Sequence, residues 1–275
     1  MREITISAER KYAVQFVDDA LKKLSDETAD RQVCVIVSKN VLRVIGSLPE
    51  AWNTVIVPDG EEQKSGATFL YCLEEMSRLG LSRSTVVIGI GGGATTDLAG
   101  FVAASYMRGV EWIAVPTSLA AMVDAAIGGK TGINLASGKN LAGAFHSPFA
   151  VMIDTAFLDS LPERDLVAGM AEVAKCGFIA DTEILTLIKH GWRTNLAELI
   201  YRSIKVKGDV GSTDFRESFA REALNYGHTL GHAIEKHSKY SLRHGECVAI
   251  GLVFAAELSA LKSGLSEQGV QEHYA

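Results

Sequence analysis

Four of the seven histidines in this chain, His228, His232, His237 and His244, fall within "NYGHTLGHAIEKHSKYSLRHGE", Asn225 to Glu246. On a helix His228 and His232 would share one face, a turn apart. His244 follows in a Gly-containing turn signal. Such a collection suggests a metal site, which needs a further ligand. "GMAEVAKCGFI" offers one, with Glu172 and Lys175 at i, i+3 on an otherwise apolar helix. An intrahelical ion pair worth roughly a few tenths of a kcal/mol is the plain reading. The apolar neighbours instead turn the pair inward, where charge is costly without a partner, and a metal ion would be one. Glu172, His228 and His244 would give Zn²⁺ one oxygen and two nitrogens and leave a position for substrate oxygens, as in catalytic rather than structural sites. His232 then stands outside the ligand set as a proton donor or acceptor, and His237 is expected at the surface.

A second concentration of chemistry lies in "MVDAAIGGKTGINLASGKNLAGAFHSP". Asp124, Lys130, Lys139 and Asn140 sit among glycines and small residues, which let a ligand approach the backbone closely. Two lysines and an amide on small-residue loops suit a phosphate or carboxylate; ordinary surface loops are the plainer reading. Arg108 in "SYMRG" is another candidate cation.

Two stretches could serve a nucleotide. In "IGIGGGATTDLAGFVAA", Gly89, Gly91 and Ala94 fit G-x-G-x-x-[GA] between a strand and a helix, a place where backbone N–H groups can meet a pyrophosphate. The acidic partner usual after the next strand is missing, since Glu111 precedes "WIAVP". A tight strand–helix turn fits as well. Asp97 is either a first-turn helix charge or a ligand acceptor. "PDGEEQKS" (Pro58–Ser65) is a solvated cap or a set of polar groups, Asp59, Glu61 and Lys64, at the carboxyl edge of a sheet.

The elements that would position these residues are legible in outline. "VCVIV", "TVIVP", "TVVIGI" and "WIAVP" read as strands buried on both faces. "KSGATFLYCLEEMSRLG" carries an apolar stripe at helical spacing that ends at Gly80. This alternation predicts βαβ units and a mostly parallel sheet. From Pro162, suited to a helix start, the pattern turns helical: Glu163–Ile179, Glu183–His190, Asn195–Lys207, Phe219–Lys236 and Glu246–Ser263. The expected architecture is an α/β Rossmann-like domain over residues 1–160 followed by an all-α domain over 161–275.

Composition narrows the function. A chain of 275 residues, 47% hydrophobic and 22% charged, can bury a sizeable core. A net charge of −6 argues against nucleic acid or an anionic membrane as a general partner. The N-terminus has no apolar secretory core, and no apolar run reaches transmembrane length uninterrupted. The scattered cysteines, Cys34, Cys72, Cys176 and Cys247, suit reduced thiols in a cytoplasmic protein.

Taken in order, "DGEEQK", "GGGATTD", "SYMRG", "VPTSL", "VDAAIGGKTGIN", "GKNLAGAF", "LPERDLVAGMAEVAKCG", "REALNYGHTLGHAIE" and "HGE" closely resemble the 3-dehydroquinate synthase family over nearly the whole chain. The resemblance implies an NAD-binding Rossmann-like domain, a helical domain supplying metal ligands, and an active site between them. It implies that Glu172, His228 and His244 hold Zn²⁺ or Co²⁺. Asp59, Gly60, Glu61, Glu62, Gln63, Lys64, Gly93, Ala94, Thr95, Thr96, Asp97, Thr117, Ser118, Lys130, Lys139, Phe157, Leu158, Asp159 and Ser160 would line NAD. Lys130 and Asn140 would hold the substrate phosphate, with Arg108 reaching across from the partner in a homodimer. Lys207, Arg221 and Asn225 would receive a carboxylate, while Asp124, Lys175, Glu217 and His232 would surround the reacting hydroxyls. The family usually continues beyond "GLSEQGVQEHYA" with further helices, including a phosphate-closing lysine, so the resemblance implies a C-terminally shortened chain.

The implied substrate is 3-deoxy-D-arabino-heptulosonate 7-phosphate (DAHP). The implied reaction is transient oxidation at C5, phosphate elimination, re-reduction, ring opening and an intramolecular aldol step to 3-dehydroquinate, in aromatic amino acid biosynthesis. Related sugar phosphate cyclases, making 2-deoxy-scyllo-inosose or valiolone-type rings, are the alternative, but their substrates have no carboxylate for Arg221 and Asn225. Metal-dependent polyol dehydrogenases share the two-domain plan and would release NADH.

Overall fold

A computed structural model of the chain describes residues 2–213, 222–239 and 241–275. It divides into two compact units, Met1–Leu161 and Pro162–Ala275.

The first unit is built on a seven-stranded sheet ordered β1-β2-β9-β6-β5-β3-β4. Its strands are β1 (Glu3–Ser7), β2 (Lys11–Phe16), β3 (Val33–Ser38), β4 (Asn53–Val57), β5 (Val86–Gly91), β6 (Glu111–Pro116) and β9 (Ala150–Ile153). All neighbours pair parallel except β1 with β2. Every residue of β3, β5 and β9 is buried, as expected of parallel strands covered on both faces. Helices α1 (Ala20–Glu27), α2 (Lys39–Ile45), α3 (Gly66–Arg78) and α4 (Gly93–Ser105) supply those covers. Side-chain caps start three of them: Asp19, Ser38 and Ser65 accept from Lys22, Val41 and Thr68 backbone N–H groups. Val35, Val37, Ile88, Ile90, Val115 and Met152 belong to one buried cluster with Leu24.

The structure differs from the sequence reading in this unit at two places. The antiparallel β1–β2 ribbon, whose alternating residues carry a weak signal, extends the sheet beyond β9, with β2 parallel to β9. The lysine-bearing middle is not a set of loops. It forms an antiparallel hairpin of β7 (Lys130–Leu135) and β8 (Gly138–Phe145), preceded by a π-helical turn at Ala121–Ala125. Small residues are needed there, because a Cβ on Gly143 would overlap the Thr131 carbonyl across the ladder.

The second unit is helical: α5 (Glu163–Ile179), α6 (Thr182–Lys189), α7 (Leu196–Thr213), α8 (His228–His237), α9 (His244–Ser263) and α10 (Glu267–Tyr274). The single helix expected over Phe219–Lys236 is broken in its described part. A 3₁₀ turn at Ala223–Asn225 leads through Gly227, at φ 77°, into α8. His244 is likewise not in a turn but opens α9, two residues earlier than the pattern suggested. By length and composition α9 is apolar enough to cross a membrane, yet within this unit it packs on α5, α8 and α10. Only 33% of its apolar stretch is buried, and Ile250, Phe254, Leu258 and Leu261 are exposed.

Candidate active site

Two ion pairs fix the start of α9 against α5. Arg243 and Asp165 form an ion pair, and Arg164 Nε reaches Glu246 Oε1 at 2.5 Å. Glu246 also closes a capping box on the Arg243 N–H at 2.9 Å, and the Arg164 and Arg243 hydrogen bonds hold its carboxyl down to about 2. Glycine permits the rest: a Cβ on Gly245 would overlap the Ala168 carbonyl, and one on Gly251 the Gly227 carbonyl. Ala168 lies one turn before Glu172, and Gly227 immediately precedes His228. The close approaches thus bring α5, α8 and α9 together where their polar side chains meet.

There Glu172, only 1% exposed, places Oε1 3.1 Å from His244 Nε2 and 3.4 Å from His228 Nε2. One ligand atom from each residue falls within 4.8 Å of the others. Lys175 Nζ stands 2.5 Å from Glu172 Oε2 with its own side chain 3% exposed. Burial acts to raise the Glu172 pKa, but hydrogen bonds from His228 and His244 and the Lys175 charge outweigh it and keep the carboxyl well below its usual range. Burial also opposes charge on His244, yet hydrogen bonds to Glu172 and Glu235 raise its pKa to about 10.

The donor set fits a divalent metal. His228 Nδ1 faces the Tyr226 carbonyl at 3.2 Å and His244 Nδ1 faces Glu235 Oε2 at 3.1 Å. With protons on both Nδ1 atoms, both Nε2 lone pairs and the Glu172 carboxylate point at a common space. Tetrahedral bonds of about 2.0–2.1 Å place ligand atoms about 3.3–3.4 Å apart, close to the separations found here. His232 lies beside them, its ring centroid 5.2 Å from that of His228 and 5.9 Å from that of His244. His237 is exposed.

In the first unit the nucleotide candidates gather at the carboxyl ends of the parallel strands, where α/β sheets receive ligands. Residues 59–64 follow β4, residues 93–97 open α4 after β5, Thr117 and Ser118 follow β6, and residues 157–160 follow β9. A depression of about 350 Å³ at this edge is lined by Val44, Ile45, Asp154, Phe157, Asp159 and Ser160, with Ala156 beside them. Buried Lys64 reaches Asp97 Oδ2 at 2.5 Å and also hydrogen-bonds the Asn140 side-chain carbonyl. Burial pushes Asp97 up to about 6 against the pull of Lys64.

Comparison with known proteins gives this arrangement a family. The family model described as 3-dehydroquinate synthase N-terminal matches residues 54–168, and 3-dehydroquinate synthase C-terminal matches residues 169–275. The 3-dehydroquinate synthase of Corynebacterium diphtheriae is 46% identical over 293 residues, covering 99% of this chain and 80% of that protein.

The chain belongs to the 3-dehydroquinate synthase family.

The Streptomyces coelicolor 3-dehydroquinate synthase is 55% identical over 224 residues, which make up 79% of this chain and 62% of that relative's length. Among solved structures, 2-deoxy-scyllo-inosose synthase complexed with carbaglucose-6-phosphate, NAD⁺ and Co²⁺ superposes with TM-score 0.85 at 26% identity, over 99% of this chain and 81% of that one. A Streptomyces hygroscopicus 2-epi-5-epi-valiolone synthase with NAD⁺ and Zn²⁺ bound gives 0.88 at 24% identity and the same coverage. The latter likeness concerns the fold alone.

The remaining candidates fall in both units, and each is placed within its own. Lys130 is exposed at the first position of β7, Lys139 is half-buried and 3.5 Å from Glu61, and Asn140 is exposed at φ 55°. Asp124 is half-buried in the π-helical turn, and Arg108 is exposed at φ 67°. Lys207 is half-buried on α7, while Asn225 and His232 are exposed. Glu217 and Arg221 lie outside the described residues.

Two residues in the networks carried no role in the sequence reading. Asn134 donates to Glu61 Oε1 at 2.7 Å and accepts from the Asn140 N–H at 2.9 Å, tying the hairpin to the turn after β4. Glu235 is 3% exposed. It lies seven residues, about two turns, beyond His228, which was the available signal.

Proposed function

We propose that this chain is a 3-dehydroquinate synthase that converts DAHP to 3-dehydroquinate and phosphate, with NAD held at the strand ends of the first unit and Zn²⁺ or Co²⁺ held by Glu172, His228 and His244. The observation that carries this reading is the convergence of those three buried or half-buried donors in a chain matched by both family models. The 2-deoxy-scyllo-inosose synthase neighbour was solved with NAD⁺ and Co²⁺, which supports a cofactor pair of the same kind.

When bound, NAD supplies a reversible hydride acceptor for C5 and the metal a Lewis acid for the C4 and C5 hydroxyls. A ketone at C5 acidifies the C6 hydrogen. Loss of that proton would expel phosphate from C7, and with C5 restored to the alcohol the ring would open and the aldol bond close. Lys130 and Asn140 would hold the phosphate, with Arg108 reaching across from the partner of a homodimer, while Lys207, Arg221 and Asn225 would hold the carboxylate. Lys175 beside Glu172 can donate to a ring hydroxyl and keep a second positive charge near it. His232 can relay a proton at the same ring face. The protein's task is mainly positioning and electrostatics, and the substrate is a small molecule.

The test is phosphate release from DAHP by the purified chain with Zn²⁺ and NAD while NADH absorbance is followed. Phosphate without net NADH, abolished by Glu172→Gln, is the expected result. NADH accumulating from simple polyols without phosphate would overturn it in favour of a dehydrogenase.

A further inference from the structure

His244 bridges two carboxylates. Its Nε2 lies 3.1 Å from Glu172 Oε1, and its Nδ1 lies 3.1 Å from Glu235 Oε2. Both acids are buried, at 1% and 3% exposure. An imidazole that offers Nε2 to a metal has to keep its proton on Nδ1, and an acceptor there fixes both tautomer and ring plane. The partner histidine is served differently, since His228 Nδ1 faces a neutral acceptor in the Tyr226 carbonyl at 3.2 Å. A charged acceptor raises the donor strength of the ring more than a neutral one. Keeping a carboxylate at 3% exposure is costly unless it is compensated, and the His244 N–H is one compensation in view.

We propose that Glu235 is the positioning residue for His244, holding it as the Nδ1–H tautomer with Nε2 directed to the metal and strengthening it as a ligand. This rests on the reading of Glu172, His228 and His244 as the metal ligands. Glu235 also belongs to a second group, with His232 and His244, whose donor atoms lie within 4.8 Å of one another. Direct ligation by Glu235 is therefore the rival that the experiment has to separate.

The experiment measures Co²⁺ and Zn²⁺ affinity and stoichiometry on the full chain, by competition with a chromophoric chelator, alongside the Co²⁺ visible spectrum. Glu235→Gln keeps size and an acceptor oxygen but loses the charge; Glu235→Ala loses both. Affinity should fall by roughly 10-fold for Gln and roughly 100-fold for Ala, the range of outer-shell partners. One ion per chain and the Co²⁺ band pattern should be retained. Nitrogen chemical shifts of His244 in the Zn²⁺-loaded protein should show the proton on Nδ1 in the wild type and a mixed population in Glu235→Ala. Unchanged affinity in both variants would overturn the proposal, as would two ions in the wild type falling to one in Glu235→Ala. Glu172→Gln separates the two levels of inference. If it leaves metal affinity intact, the ligand set is wrong; if it abolishes binding while the Glu235 variants do not weaken it, only the role of Glu235 is wrong.

Discussion

Lys64 Nζ stands 2.5 Å from Asp97 Oδ2, with the lysine side chain 4% exposed and the carboxylate 20% exposed. The pair joins the turn after β4 to the first helical residues after β5. Two segments proposed to line NAD are thereby fixed to each other before any ligand arrives.

Lys64→Met should therefore destabilise the protein in a pH-dependent way. Asp97 has a folded-state pKa near 6, above the ordinary carboxyl value near 3.9. Its contribution to stability is thus fully present below about pH 3.9 and is lost as pH rises through about 6. Removing the lysine charge moves the upper end of that window higher. Urea unfolding should show a deficit of about 3–5 kcal/mol at pH 8, typical of breaking a buried pair from one side, and a smaller one at pH 5. Equal deficits at both pH values would show that the pair is not felt electrostatically.

Glu172→Gln should weaken metal binding by more than the roughly 10–100-fold of an outer-shell change, because a charged donor leaves the set while the side-chain volume stays. Treating the wild type with a chelator should give the same loss of phosphate release, restored by Zn²⁺ or Co²⁺. Full activity after exhaustive chelation would remove the metal from the mechanism.

Gly251→Ala should cost about 1–3 kcal/mol, the usual range for overpacking, because the new methyl group meets the Gly227 carbonyl. Since Gly227 leads directly into His228, metal affinity should fall with it. Unfolding curves and chelator competition on the same preparation check both. A loss of stability with unchanged affinity would show that the helix contact does not set the position of His228.

Tyr12→Phe removes the phenol oxygen that accepts the Gly128 N–H at 2.8 Å, at a tyrosine 4% exposed. Gly128 is half-buried, so losing this hydrogen bond costs about 0.5–1.5 kcal/mol. Because Gly128 lies two residues before Lys130, the KM for DAHP should rise more than kcat falls. Equal changes in both would confine Tyr12 to stability.

The sequence by itself determined the alternation of buried strands and helices, the change to helix at Pro162, and the identity of the three converging donors. Each rests on local information: apolar period, caps, and residue types whose chemistry is limited. It also carried the family resemblance, because nine motifs in order are a property of the chain and not of its packing.

Tertiary structure decided what local pattern could not. His244 opens a helix because Arg164, Asp165 and Glu246 clamp that end to α5, and partners 78 or 82 residues away leave no mark on nearby sequence. The lysines of the middle segment sit on a hairpin because small residues allow two strands to pair where their propensity is low. Glu235 has in the sequence only its helical spacing from His228. Only the crossing of α8 and α9 placed it beside His244 Nδ1 at 3.1 Å, and a hydrogen bond between two helices is set by where their axes cross, which spacing within either one does not contain.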